Sequence, residues 1–240
     1  MRLLPSRLHW PSVCAVCNRW PSRRVCEPCM ERLGRAQPRC PGCALPLAPG
    51  LRQCVRCHEA PLTPLKQCFA RVTYAYPWMD LVAQFKFQGQ PAWARELARW
   101  MLDTPEAQAL FDEADVLVPV PLTPARLRER GYNQAWELTK QLRKESRTQA
   151  QAWPDLLERS DEAQLQHTLP RDQRLDNARQ SLKCATERHY ALAGKRVLLV
   201  DDVMTTGATL QAAAQVLRQA GAASVSGIVF ARTPAPGSVE

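Results

Sequence analysis

A chain of 240 residues, 45% of them hydrophobic, is long enough for one sizeable core and a small accessory module. It contains no run of roughly 18 apolar residues, which excludes a hydrophobic helical span. Residues 1–20 mix Arg, Pro and His with apolar residues, so a cytoplasmic protein without membrane insertion is expected. The net charge of +9 is uneven: residues 1–58 hold ten Arg, no Lys and two acids, whereas residues 59–240 hold 22 basic residues against 21 acids. The N-terminal quarter therefore suits a polyanionic partner, and arginine favours bidentate phosphate contacts and stacking. The competing explanation is a solvated surface, or charge that offsets anionic metal–thiolate centres.

Without a secretory context, ten cysteines read as metal ligands rather than disulfides. Eight of them form four C-x-x-C pairs: Cys14/Cys17, Cys26/Cys29, Cys40/Cys43 and Cys54/Cys57. Each such turn sets two thiolates on one side of a knuckle, and two knuckles complete a tetrahedral Cys₄ zinc site. The short gaps from Cys17 to Cys26 and from Cys43 to Cys54 favour neighbouring pairs, with a crossed pairing of the first and third knuckles left open. Two structural zinc ions are expected, and they should supply the folding energy of a segment poor in apolar residues. Cys54-Val-Arg-Cys57-His58 also fits covalent haem attachment, which requires export, so His58 is taken as incidental. Cys68 and Cys184 read as buried small residues. The expected organisation is a double zinc-ribbon domain over residues 1–60 and a larger domain over 61–240.

Residues 61–64 read as a linker. Residues 69–76 suggest the first strand of the larger domain, and residues 80–87 and 92–102 suggest helices, the second with Trp93, Leu97, Trp100 and Met101 on its core face. Residues 116–122, Val-Leu-Val-Pro-Val-Pro-Leu, read as a strand ended by a stiff turn around Pro119, Val120 and Pro121. Arg126, Arg128 and Arg130 then precede Gly131-Tyr-Asn-Gln-Ala135 and a helix to residue 144. These arginines suit either a solvated helix face or the capture of a pyrophosphate. Arg171, Arg174 and Asn177 follow in a polar, weakly periodic stretch that reads as a loop.

The most informative stretch is Val197-Leu-Leu-Val-Asp-Asp-Val-Met-Thr-Thr-Gly-Ala-Thr209. Four apolar residues read as a buried parallel strand whose polar end carries Asp201 and Asp202. Thr205, Thr206, Gly207, Ala208 and Thr209 form a small-residue turn that opens a helix over 208–219, followed by a strand over 224–230. Amide N–H groups and a helix dipole at such a turn cradle an anion. Two carboxylates beside it suit adjacent sugar hydroxyls, gripped directly or through Mg²⁺. A ribose 5-phosphate ester satisfies both halves. The stretch lacks the lysine of a P-loop and the G-x-G-x-x-G of a dinucleotide fold.

This segment resembles the phosphoribosyl pyrophosphate (PRPP) motif of type I phosphoribosyltransferases. With the C-x-x-C pairs, VPVPL before R-x-x-x-R-G-Y-N-Q, and Q-x-x-L-x-R-x-x-R-x-x-N, the chain resembles the ComF/GntX family of competence-associated phosphoribosyltransferase-like proteins. The resemblance implies an α/β fold with a mainly parallel sheet flanked by helices, behind a small N-terminal double zinc ribbon. It implies PRPP bound with Mg²⁺ by Asp201, Asp202 and residues 205–209, pyrophosphate near Pro119, Val120 and Pro121, and catalytic help from Arg126, Arg130, Arg171 and Arg174. It also implies a role in DNA uptake, a zinc head that contacts single-stranded DNA with Trp10 and Trp20 as stacking partners, and a DNA-uptake helicase as partner. The alternative is a Mg²⁺-dependent phosphoribosyltransferase of nucleotide metabolism with no DNA role.

Overall fold

The structure is a computed structural model, and it describes residues 12–59, 64–161 and 181–235. The chain divides into two compact units, Met1–Ala36 and Gln37–Glu240. In the first unit an antiparallel bridge joins Ser12 to Ser22, and a short helix, α1 (Glu27–Leu33), starts directly behind Cys26 with Pro28 in its first turn. Proline is tolerated there because the first-turn N–H groups have no helical partner. The buried side chains of this unit are chiefly its cysteines and Val25, too little apolar surface for a core without metal.

The second unit begins with a knuckle closed by a bridge from Arg39 to Pro46 and a helical turn, α2 (Val55–Glu59). A five-stranded sheet follows. Its strands are β1 (Gln67–Thr73), β2 (Val116–Pro119), β3 (Gln151–Ala152), β6 (Arg196–Met204) and β7 (Ser224–Arg232). Their order is β1-β7-β6-β2-β3, and every pairing is parallel. Strand β7, between β1 and β6, is buried along nearly its whole length, as a parallel strand covered on both faces must be.

Helices α3 (Trp78–Phe87), α4 (Trp93–Met101), α5 (Pro105–Glu113), α6 (Pro124–Arg130) and α7 (Gln134–Ser146) lie between β1 and β3 in sequence. The predicted stripe of α4 is buried through Trp93, Leu97 and Met101, and Trp100 lies in an aromatic group with Trp78 and Phe230. A separate antiparallel pair, β4 (Leu157–Arg159) and β5 (Leu182–Cys184), is followed by a single helical turn, α8 (His189–Leu192). The chain then re-enters the sheet at β6 and continues through α9 (Ala208–Gln219) to β7.

The fold is therefore the expected α/β phosphoribosyltransferase-like class. Details differ from the sequence reading. Strand β6 runs to Met204, so Asp201 and Asp202 lie inside it, bonded through the pairing of Asp201 with Val229. Helix α5 was not anticipated, although Thr104 caps it by accepting the Ala107 N–H and Pro105 opens it.

Candidate functional site

The phosphate turn lies at the carboxyl end of β6, where open parallel sheets carry their ligand sites. Gly207 occupies the cap position of α9 at φ +86°, and the first turn of α9 holds no acid. The cap residue itself thus brings no side chain to compete with an incoming anion, and of the first helix amides only that of Ala208 is engaged by a neighbouring hydroxyl among the described residues. A Cβ on Gly207 would stand 2.4 Å from Met204 Cε. Thr206 Oγ1 accepts the Ala208 N–H at 3.3 Å, while Thr205 is exposed and Thr209 half-buried. Gly207→Ala combines a left-handed backbone with that contact, and should cost about 1 kcal/mol or more in stability. Thermal unfolding checks this, and affinity for a ribose 5-phosphate ester should fall with it.

Two residues upstream of Val203 the acids begin. The Asp202 amide donates to Asp201 Oδ1 at 2.8 Å, and Lys86 Nζ from the last turn of α3 lies 2.8 Å from Asp202 Oδ1. Asp202 is only 5% exposed. Burial and the Asp202 carboxylate push the Asp201 carboxyl up to about 7, against the pull of Lys86, the Asp202 amide and Arg159. Burial lowers the pKa of the Arg159 guanidinium, Arg126 lowers it further, and Asp201 raises it. Lys86 and Arg159 thus set cations beside the acid pair, and Arg126 lies close enough to Arg159 to act on it. The buried Nε of Arg159 has no hydrogen-bond partner among the described residues.

The prolines of the β2–α6 turn have no N–H, and the Val120 N–H donates to Val200 O at 2.9 Å. Residues Pro119, Val120 and Pro121 therefore offer an anion no amide, and what they provide is a rigid lead into Thr123, the cap of α6. Asn133 ties the turn to α7: its Nδ2 donates to Val120 O, and its Oδ1 accepts the amides of Ala135 and Trp136. Arg130 lies over the Phe87 ring, 4.9 Å from its centroid, and donates to Gln134 Oε1 at 3.0 Å. Arg171 and Arg174 lie outside the described residues. Lys86, Arg159 and Asp161, whose Oδ1 accepts the Ala125 N–H at 3.1 Å, were not foreseen. Their only sequence signal is charge, and the fold alone brings them to the strand ends.

The eight paired cysteines form two groups, Cys14/Cys17/Cys26/Cys29 and Cys40/Cys43/Cys54/Cys57, with the sulfur atoms of each group within 4.8 Å of one another. Neighbouring pairs thus close each group, as the spacing favoured. Burial pushes the Cys14 thiol up, but the amides of Cys17, Cys26 and Val16 outweigh it and hold the group near about 6. In the second group the amides of Cys54, Cys43 and Gly42 likewise outweigh burial and bring Cys40 to about 7. Burial drives Cys29 up to about 12 and Cys43 up to about 11. Four crowded thiols, one of them held low and others driven up by burial, suit a Zn²⁺ ion, which would remove the remaining protons. Both groups can hold a metal in closed Cys₄ coordination, a structural arrangement.

The chain is 31% identical to the DNA utilization protein YhgH of Escherichia coli K12, over 87% of this chain and 90% of that protein. It is 30% identical to the competence protein ComFC of Bacillus subtilis, over 89% of this chain and 86% of that one. Competence protein F of Haemophilus influenzae is 29% identical over 82% and 85%. The chain belongs to the ComF family. Within this ComF-family protein, the phosphoribosyl transferase domain family matches residues 159–239, a span that opens on Arg159 and takes in β6, the phosphate turn, α9 and β7. The β2–α6 turn and both cysteine groups lie outside the matched residues.

Proposed function

We propose that this ComF-family protein binds PRPP in its phosphoribosyltransferase-like domain and acts in the uptake or use of external DNA. The observation that carries the reading is the set of groups at the carboxyl end of β6. An acid pair, a glycine-capped helix N-terminus and the cations Lys86 and Arg159 from separate elements match the diol, 5′-phosphate and pyrophosphate of one ligand. Asp201 and Asp202 accept the ribose hydroxyls, and residues 205–209 donate to the 5′-phosphate. Arg126, Arg130, Arg171 and Arg174 draw the pyrophosphate, with Pro119, Val120 and Pro121 stiffening the turn beside it. Mg²⁺ bound with PRPP would neutralise phosphate charge and share the acids. Where an acceptor completes a transfer, this arrangement stabilises the charge of the leaving pyrophosphate and needs no side-chain nucleophile.

The Asp201 carboxyl sets a pH test. Its pKa in the fold is raised from about 4 to about 7. Its contribution to ligand-free stability is therefore fully present below about pH 4 and is lost as pH rises through 7. PRPP needs the carboxylate, so affinity should climb between pH 5.5 and 7.5 with release of a proton. Calorimetry in buffers of different ionisation enthalpy reads that proton, and Asp201→Asn should flatten the profile.

The DNA part of the proposal rests on the arginine-rich head and on the names of the relatives. Trp20 is 60% exposed and lies in sequence between the exposed Arg19 and Arg23, so one short segment offers a side chain for base stacking and cations for phosphate pairing. Trp10 lies outside the described residues. Fluorescence anisotropy with labelled single-stranded DNA over a salt series tests this. Replacing Arg19 and Arg23 by Gln should shallow the log–log salt slope by about 0.7 for each phosphate that is no longer neutralised. An unchanged slope would remove the head from DNA binding. A helicase of the uptake machinery is the protein partner this role implies.

A further inference from the structure

Arg232, the last residue of β7, is 3% exposed and gathers main-chain carbonyls from two places that the proposed function keeps apart. Its Nε donates to the carbonyl of Cys43, inside the second cysteine group, at 2.8 Å. Its Nη1 donates to the carbonyls of Met204, at 3.3 Å, and of Thr205, and to Thr233 O at 2.6 Å. One planar guanidinium thus joins a metal knuckle to the first residues of the phosphate turn.

The geometry of the peptide unit gives this contact a consequence. In a planar trans peptide the C=O and the following N–H point in opposite directions. Carbonyls of Met204 and Thr205 that are drawn towards Arg232 therefore turn the amides of Thr205 and Thr206 the other way. Neither amide donates to an acceptor among the described residues. These are amides that the phosphate turn needs free for a ligand.

A second line of contacts runs in parallel. The Cys68 amide donates to Pro41 O at 2.7 Å, and Cys68 Sγ lies 3.5 Å from Met204 Sδ. Arg39 fastens the same knuckle to the end of β1 by donating to Ala44 O and to Thr73 Oγ1. The knuckle is therefore built against the strand ends that carry the turn. A Zn(Cys)₄ centre with two net negative charges would add an attraction for both guanidiniums.

We propose that Arg232 is a positioning residue that couples the second metal knuckle to the phosphate turn. Metal in Cys40/Cys43/Cys54/Cys57 fixes the Cys43 carbonyl, that carbonyl fixes Arg232, and Arg232 holds the amides of Thr205 and Thr206 open for a phosphate monoester. The inference rests on the PRPP reading for the identity of the ligand, but the latch itself is independent of it. Coupling of this kind is reciprocal: a ligand on the turn must also tighten the hold on the metal.

The test uses the full zinc-loaded chain, wild type against Arg232→Met and Arg232→Lys. Three readouts are combined: ¹⁵N order parameters of the 205–207 amides, calorimetry with PRPP and Mg²⁺, and the rate of zinc transfer to a chromogenic chelator with and without PRPP. Arg232→Met should keep two zinc ions, lower the order parameters of the turn amides and bind PRPP about tenfold more weakly, within the usual span of coupling between sites. Arg232→Lys, which keeps charge but lacks the fork, should lie between. PRPP should slow the release of one of the two zinc ions from the wild type and of neither from Arg232→Met. Unchanged order parameters and affinity in Arg232→Met, with wild type binding PRPP, would overturn the latch and leave the ligand reading standing. Lowered order parameters in Arg232→Met, with no PRPP binding to wild type, would support the latch and overturn the ligand reading. Should Arg232→Met fail to fold, wild-type affinity and zinc release in Arg232→Lys would overturn the latch.

Discussion

Asp201→Asn/Asp202→Asn is expected to bind PRPP at least 100-fold more weakly than the wild type. Each carboxylate accepting a sugar hydroxyl contributes about 1.5–3 kcal/mol as a charged hydrogen bond, so losing two removes roughly 3–6 kcal/mol. The change has a structural side as well. Lys86 has its ammonium 2.8 Å from Asp202 with only 18% of its side chain exposed, so Asp202→Asn takes the ion-pair partner from a largely buried cation and leaves only the neighbouring Asp201 to balance it. Breaking such a pair from one side costs about 3–5 kcal/mol when burial is complete, and less here. The account therefore separates two effects. Asp202→Asn should lower both stability and affinity, while adding Lys86→Met should recover stability and leave affinity low. Thermal unfolding and calorimetry on the four proteins of this cycle check both statements. Recovery of affinity in the double variant would mean that Lys86, rather than the acid, limits binding.

Cys43→Ser should unfold the second unit at a temperature lower by roughly 10 °C or more. Cys40, Cys43 and Cys57 are fully buried and share one apolar cluster with Leu65, Leu199, Met204, Leu210 and Val229. The knuckle is thus part of the wall of the larger core. Losing a ligand weakens a metal whose binding free energy is folding free energy, about 10–16 kcal/mol for structural zinc. A loss of only about 4 kcal/mol shifts the transition of a domain this size by about 8–16 °C. Gly42 shows how little slack the knuckle has, since a Cβ there would stand 3.1 Å from Cys57 Sγ. Calorimetric unfolding with zinc analysis measures the effect, and Cys184→Ser, outside both groups, serves as the control that keeps two metals per chain.

What could be read from the sequence was what neighbouring residues dictate to one another. The run Val197–Val200, the small-residue turn and the apolar spacing of residues 208–219 all lie in one window, and β6, α9 and β7 appear where that window places them. The cysteine spacing likewise favoured the neighbouring pairs that the fold groups together. Spacing did not reveal which core each site packs against: the second group lies within the compact unit Gln37–Glu240 and contributes to its apolar cluster. Lys86 reads in sequence as an ordinary basic residue in a last helical turn, and Arg159 as one charge in a short strand. Only the parallel order of the sheet brings them to Asp201 and Asp202. Arg232 is the extreme case, since its partners Cys43 and Thr205 lie 189 and 27 residues away.

At the carboxyl end of β6 the Asp201/Asp202 pair and the amides around Gly207 are proposed to hold a ribose 5-phosphate ester. Titration calorimetry of PRPP with Mg²⁺ into the zinc-loaded full chain at pH 7.5, beside ribose 5-phosphate and inorganic pyrophosphate, tests it most directly. One site per chain is expected, tightest for PRPP, weaker for each fragment, and abolished in Asp201→Asn/Asp202→Asn. Equal heats for wild type and that variant, or no saturable binding of PRPP at all, would contradict it.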